Sequence, residues 1–192
     1  MNHPLNFLPS NLYKPLFVTF LALTLVLFAV LDFVGKPLKT FAAPHGIISF
    51  EFAGSPECAQ LIVSSWQESR SGFPDDVIVL DAKPKLYAAF SLGLDYLFMP
   101  TYALALALGI SLAARKHSDR FSSFGWVAGW GAVVAALFDA VENYALFRVL
   151  LGEFASPYPE IAAVCAAIKF ALIILGGVYA GIGFIRPKRA QV

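Results

Sequence analysis

The stretch WVAGWGAVVAALFDAVENYALFRVL, Trp126–Leu150, is mostly apolar but carries a short group of polar residues beyond its middle. Asp139, Glu142 and Asn143 are spaced i, i+3 and i+4, so on a helix their side chains share one face. A segment of this length crosses a membrane, and a charged side chain at its centre costs about 2.5–3.5 kcal/mol on the insertion scale. The pattern therefore predicts a transmembrane helix whose polar strip contacts other polar groups of the protein.

The composition of the whole chain also indicates a membrane protein. Hydrophobic residues make up 58% of the sequence and charged residues only 14%, and the mean hydropathy is +0.69, far from the balance of soluble domains. We expect an all-α membrane protein, a four-transmembrane-helix bundle that forms one integral membrane domain over residues 1–192. Its four spans, each long enough to cross about 30 Å of hydrocarbon, are Leu16–Val34, Leu86–Ala114, Gly125–Leu151 and Glu160–Ile185.

The positions of the basic residues predict the orientation, because Lys and Arg near the ends of spans are retained in the cytoplasm. Basic residues precede the first span, fill the loop between the second and third, and follow the fourth: Lys14, Arg115, Lys116, Arg120, Arg186, Lys188 and Arg189. Both termini are therefore expected on the cytoplasmic side of the cell inner membrane, and Gly35–Lys85 outside. The net charge of +1 gives no support for nucleic-acid binding. The four predicted spans make the lipid bilayer the expected partner.

The segment between the first two spans is predicted to form a small extracytoplasmic α+β insert. Within Gly46–Phe52 the apolar residues alternate with period two, which predicts a short strand, and Val77–Leu80 is a candidate for a second one. The alternating residues are Ile48, Phe50 and Phe52.

A helix is predicted between these two candidate strands. Ser55 followed by Pro56 is typical of an N-cap and the first helical residue. Because so small an insert buries little surface by itself, its apolar face is expected on the outer ends of the membrane helices or in the headgroup layer. The helix face predicted to be apolar consists of Cys58, Leu61, Ile62 and Trp66.

Two further spans carry ionisable residues at a similar depth to the polar strip. Asp95 in the second span and Lys169 in the fourth lie, like Asp139 and Glu142, roughly 12–17 Å from the outer end of their helices at 1.5 Å per residue. Small residues on the same faces favour close helix packing, so the polar groups are expected to point into the protein. Matched depth predicts that Glu142 pairs with Lys169, while Asp139 and Asp95 either share a proton or face a wet cavity.

The candidate site therefore consists of Asp95, Asp139, Glu142, Asn143 and Lys169, with Tyr96, Tyr102 and Tyr144 as secondary members. Intramembrane ionisable residues commonly mark ligand or ion pathways. The favoured hypothesis is a polytopic protein that binds a small polar solute or a lipid headgroup, as a transporter component or an accessory subunit. Such a protein would act within a homo-oligomer or a larger membrane complex, because four spans are few for a transporter acting alone.

Two alternatives stay open from the sequence. A membrane-embedded enzyme would use Asp139 or Glu142 as the base and Lys169 as an electrostatic stabiliser on a lipid or isoprenoid. The balance leans against an enzyme. The phosphate-binding loop, zinc-protease, serine-hydrolase and dinucleotide motifs are absent from the sequence, so ATP hydrolysis, zinc proteolysis and serine hydrolysis by the standard constellations are not expected. In the second alternative, the polar groups only fix how the helices pack in a structural or assembly protein.

The sequence gives no basis for a cofactor or a metal site. His3, His45 and His117 lie outside the predicted spans and far apart in the chain. Cys58 and Cys165 form no metal-binding spacing; two unpaired cysteines are favoured over a disulfide between them. We therefore expect neither a cofactor nor a bound metal.

Overall fold

The computed structural model describes residues 4–5, 7–67, 84–117, 120–155 and 157–185. Within these ranges the chain is helical and contains no strand. Short 3-10 turns flank the first helix at Ser10–Leu12 and Lys36–Leu38. The α-helices are α1 (Tyr13–Gly35), α2 (Ile47–Glu51), α3 (Pro56–Gln67), α4 (Pro84–Ala114), α5 (Arg120–Leu150) and α6 (Tyr158–Ile185).

Four of these helices are long and apolar enough to cross a membrane, as the sequence predicts. They are α1, whose flanking turns extend the candidate span to Ser10–Leu38, and α4, α5 and α6. Among the bounds of the α-helices themselves, the largest difference from the prediction is at the start of α5, which begins at Arg120 and not at Gly125. The apolar pattern marks only the part of a helix that suits hydrocarbon, and the helix itself continues into the polar residues before it.

The strand predicted for Gly46–Phe52 is wrong, because this segment contains the short helix α2. A strand would bury Ile48, Phe50 and Phe52 on one face, but only Phe50 is buried, and the other two are about half exposed. Three alternating residues are too few to separate a strand from a single helical turn. The second candidate strand, Val77–Leu80, lies outside the described residues. The predicted α+β character of the insert is therefore not supported.

The predicted helix in the insert is confirmed as α3. The backbone N–H of Cys58 donates to the Ser55 hydroxyl oxygen at 3.3 Å, which is the N-cap interaction expected of this position. The predicted apolar face needs correction, since Cys58 and Leu61 are exposed. The buried residues of α3 follow the helical spacing i, i+3, i+4 and i+7. They are Ala59, Ile62, Val63 and Trp66.

The chain forms two compact units, and each long helix contributes to both. Unit 1 contains the described residues of Met1–Leu27, Leu97–Asp139 and Ala167–Val192. Unit 2 contains those of Phe28–Tyr96 and Ala140–Ala166, and so includes the insert.

Helices in unit 1 approach closely at glycines. A Cβ atom at Gly125 would lie 2.6 Å from the Ala114 Cβ and 2.9 Å from the Tyr179 hydroxyl oxygen, so α5 meets α4 and α6 where no side chain fits between them. On α6, by contrast, a Cβ at Gly177 or Gly181 would meet no described atom within 4 Å. Glycine is thus required for packing within unit 1 at Gly125.

In unit 2 the insert shares one hydrophobic core with the membrane helices. Trp66 of α3 is fully buried, its Nε1–H donates to the Leu38 carbonyl oxygen at 2.9 Å, and the Phe50 ring meets it edge-on at 5.1 Å. The same core includes Leu92 of α4 and Val149 of α5. The insert therefore packs on the helix segments of its own unit, which is one of the two placements expected from its size.

Candidate functional site

Unit 1 contains a buried group of three polar side chains, Tyr102, Asp139 and Lys169, which we call the lysine cluster. The Lys169 ammonium nitrogen lies 2.9 Å from the Asp139 Oδ1 and donates to it. The Tyr102 hydroxyl donates to the Asp139 Oδ2, also at 2.9 Å. One carboxylate thus accepts hydrogen bonds on both oxygens, one from a cation and one from a phenol.

The lysine cluster joins three different helices, since its members come from α4, α5 and α6. Ala135, one turn before Asp139 on α5 and in the same unit, is fully buried, and so small a side chain lets the helices of unit 1 approach closely. Asp139 is 2% exposed and Lys169 is 5% exposed. An isolated charge at such a site is strongly disfavoured, so the ion pair is the arrangement in which both groups stay charged.

Unit 2 contains a second polar group, Ser91, Asp95 and Asn143, which we call the amide cluster. The Asn143 side-chain amide nitrogen donates to the Asp95 Oδ2 at 2.8 Å and to the Leu92 carbonyl oxygen at 3.3 Å. Asn143 is 2% exposed, whereas Asp95 is only half-buried. The amide therefore fixes the orientation of a carboxylate that keeps part of its surface accessible.

Ser91 lies one helical turn before Asp95 on α4, so their side chains share a face of the helix. Its hydroxyl is buried, and its oxygen has no hydrogen-bond partner among the described residues. A buried hydroxyl in this state costs about 1–3 kcal/mol, which a bound molecule with a suitable polar group would remove. The sequence already places Ser91 on the polar face of α4, but only the structure distinguishes it from its neighbours.

Of the five main predicted site residues, the structure places Asp139 and Lys169 in the lysine cluster and Asp95 and Asn143 in the amide cluster. The lysine contact was predicted for Glu142, and the structure shows it for Asp139, whose carboxylate is occupied by Lys169 and Tyr102. Glu142 is fully buried in unit 2, directly before Asn143 on α5, and its pairing with Lys169 stays a prediction.

Of the secondary tyrosines, the structure brings only Tyr102 into a buried cluster. Tyr96 is about half exposed, and its hydroxyl donates to the Ala140 carbonyl oxygen over a long 3.4 Å. Tyr144 is also about half exposed and meets the ring of Tyr158 edge-on at 6.1 Å. Tyr96 and Tyr144 therefore belong to the surface of unit 2.

The described ranges contain no disulfide between Cys58, which is exposed, and Cys165, which is buried, as the sequence favours. In the same ranges, no three side chains of His, Cys, Asp or Glu are arranged to hold a metal ion.

Comparison of the chain with models of protein families, with curated proteins and with solved structures found no match. The features of the molecule that bear on its function are the two polar clusters and the four candidate membrane spans.

Proposed function

We propose that the protein is a multi-pass protein of the cell membrane that binds a small polar solute or a lipid headgroup through the amide cluster. In this proposal both termini lie in the cytoplasm, and the protein works as a transporter component or accessory subunit, in a homo-oligomer or a larger membrane complex. The lysine cluster has a structural role in this proposal: it holds the helices of unit 1 together.

One observation carries the proposal: a half-buried carboxylate, oriented by a buried amide, lies one turn from a buried hydroxyl whose oxygen has no described partner. A carboxylate and a hydroxyl on one helix face favour a ligand that offers hydrogen-bond donors, such as an ammonium group or a polyol. Both chemistries occur in lipid headgroups and in small solutes.

The lysine cluster supports the structural role more than the enzymatic alternative. A general base must reach the proton that it removes. Asp139 is almost completely buried and already accepts hydrogen bonds from Lys169 and Tyr102, which favours a fixed ion pair. A buried network of this kind holds three helices in one arrangement.

Native mass spectrometry of protein extracted in a mild detergent tests the proposal. We expect the wild-type protein to carry a bound lipid or solute, and the Ser91→Ala/Asp95→Asn variant to lose it. The Glu153→Gln variant is the matched control, because that carboxylate is partly exposed and pairs with Arg148; it should keep the bound mass. Identical adducts on the wild type and the Ser91→Ala/Asp95→Asn variant would contradict the proposal.

Lipid analysis of cells with and without the protein separates binding from catalysis. An unchanged lipid composition is expected for a binding protein, and altered uptake of a solute would point to transport. Accumulation of one precursor lipid in cells without the protein would contradict the proposal and favour the enzyme.

A further inference from the structure

A short loop in unit 2, Thr40–Ala43, presents a large apolar side chain to the surroundings. Phe41 is completely exposed, with a relative accessibility of 105%. Single exposed apolar residues are common on proteins and by themselves indicate nothing. Phe41 differs from such residues in two ways: its loop directly follows a candidate membrane span, and hydrogen bonds hold the base of the loop in place.

The loop begins directly beyond a candidate membrane span. The span that contains α1 ends at Leu38, and Phe41 is three residues further along the chain. Three residues reach at most roughly 10 Å, which is comparable to the depth of the headgroup layer and its boundary with the acyl chains. With the end of this candidate span at the edge of the hydrocarbon, the short connection would keep Phe41 at the level of the membrane surface.

Hydrogen bonds brace the base of the loop. The backbone N–H of Thr40 donates to the Ala43 carbonyl oxygen at 3.1 Å, and the N–H of Ala43 donates back to the Thr40 carbonyl oxygen at 3.2 Å. The Thr40 hydroxyl is also hydrogen-bonded to the Ser65 hydroxyl of α3 at 2.9 Å. The loop is thus fastened to the helix whose Trp66 is bonded to Leu38, and Phe41 lies at its tip.

The residues around the loop have the composition of a membrane boundary. Phe33, in the last turn of α1, is 70% exposed, and the Lys36 ammonium lies 5.3 Å from the centre of its ring. Lys36 and Lys39 are both exposed. Lysines at the end of a span direct their ammonium groups to lipid phosphates, while apolar side chains of membrane-surface segments, Phe among them, enter the boundary between headgroups and acyl chains.

From these observations we infer that the Thr40–Ala43 loop is a membrane-surface anchor: Phe41 enters the headgroup layer, and Lys36 and Lys39 contact lipid phosphates. The anchor fixes the insert of unit 2 to the bilayer through a braced loop. This inference is independent of any ligand at the amide cluster, so either can fail without the other.

A nitroxide spin label on the full-length protein in phospholipid nanodiscs tests the inference. The background is Cys58→Ser/Cys165→Ala, and the label is placed at Phe41→Cys, where the exposed side chain makes labelling compatible with the fold. Val26→Cys on the exposed face of α1 serves as the lipid reference, and Glu57→Cys, an exposed charged position in the first turn of α3, serves as the water reference.

Collisions of the label with oxygen, which concentrates in lipid, and with a water-soluble nickel chelate report its surroundings. We expect the ratio of oxygen to nickel collisions at position 41 to be severalfold higher than at position 57 and to approach that at position 26. A ratio equal to that at position 57 would place Phe41 in water and overturn the inference. Protection from both reagents would mean that another protein chain covers the loop, which would also overturn it.

Discussion

Each of the two clusters contains an aspartate, but the aspartates differ in burial and in the hydrogen bonds that the structure shows for them. In the lysine cluster the Asp139 carboxylate is paired with an ammonium and a phenol, and its surface is almost wholly buried. In the amide cluster the Asp95 carboxylate accepts a hydrogen bond from a neutral amide and stays half-buried. A buried ion pair with both carboxylate oxygens occupied stabilises packing, whereas an oriented, accessible carboxylate suits a ligand.

The strongest test of this difference removes the cation of the lysine cluster. The Lys169→Met variant should lose about 3–5 kcal/mol of unfolding free energy, because it leaves the Asp139 carboxylate buried without its cation. Unfolding in mixed micelles with increasing SDS measures the loss. The Asp139→Asn/Lys169→Met double variant should lose less than the single one, since it removes both charges. A double variant as unstable as the single one would contradict the role of this pair.

A matched pair of substitutions compares the two carboxylates directly. Asp139→Asn should lower the unfolding free energy by about 2–4 kcal/mol, since it removes the charge of the carboxylate that the Lys169 ammonium contacts but keeps an amide oxygen as acceptor. Asp95→Asn should cost less than about 1 kcal/mol, because its amide oxygen still accepts from Asn143. The same SDS titration measures both, and equal losses would show that the clusters do not differ in the way described.

The phenol of the lysine cluster is expected to have a smaller effect. Tyr102→Phe removes a 2.9 Å hydrogen bond to a carboxylate and should cost about 1.5 kcal/mol of unfolding free energy. Tyr96→Phe is the control on the same helix, because its bond is long and its side chain about half exposed, and it should change stability by less than about 0.5 kcal/mol. Thermal unfolding in detergent compares the two, and an effect of Tyr96→Phe as large as that of Tyr102→Phe would contradict the assignment.

The smallest expected effect is a gain in unfolding free energy, whereas the substitutions above lower it. Ser91→Ala should raise the unfolding free energy of ligand-free protein by up to about 1 kcal/mol, because it removes a buried hydroxyl whose oxygen has no described partner. Ser65→Ala in the same unit should lower it by about 1 kcal/mol, since that hydroxyl is bonded to Thr40 and to the Ile62 carbonyl oxygen. A loss of stability in ligand-free Ser91→Ala would show that its hydroxyl is already satisfied.

Much of the fold was predictable because membrane spans obey a simple rule. Hydrocarbon accepts only long apolar segments with internally satisfied backbones, so the four spans follow from composition and length. The insert was less predictable. The Ser55 cap gave the start of α3 correctly, but the three alternating residues of Gly46–Phe52 misled, because a single helical turn also buries Phe50 against Trp66.

The polar residues of the spans were found from the sequence, but the contact of Lys169 with Asp139 and that of Asn143 with Asp95 were not predicted. Residue counting gives depth along a helix to within about a turn, and one turn of α5 separates Asp139 from Glu142 and Asn143. That margin does not distinguish the two carboxylates, so residue counting did not predict the contact of Lys169 with Asp139 that the structure shows. The bond from Asn143 to Asp95 depends on helix rotation, which residue counting does not give.

The sequence by itself determined that this protein is helical, that four helices suit a membrane, and which polar side chains lie within them, since these properties depend on local composition and spacing. Only the tertiary structure showed that Asp139 meets Lys169, that Asp95 meets Asn143, and that the Ser91 hydroxyl is buried without a described partner. These choices depend on distances of about 3 Å between residues up to 48 positions apart, which are set by how helices rotate and pack.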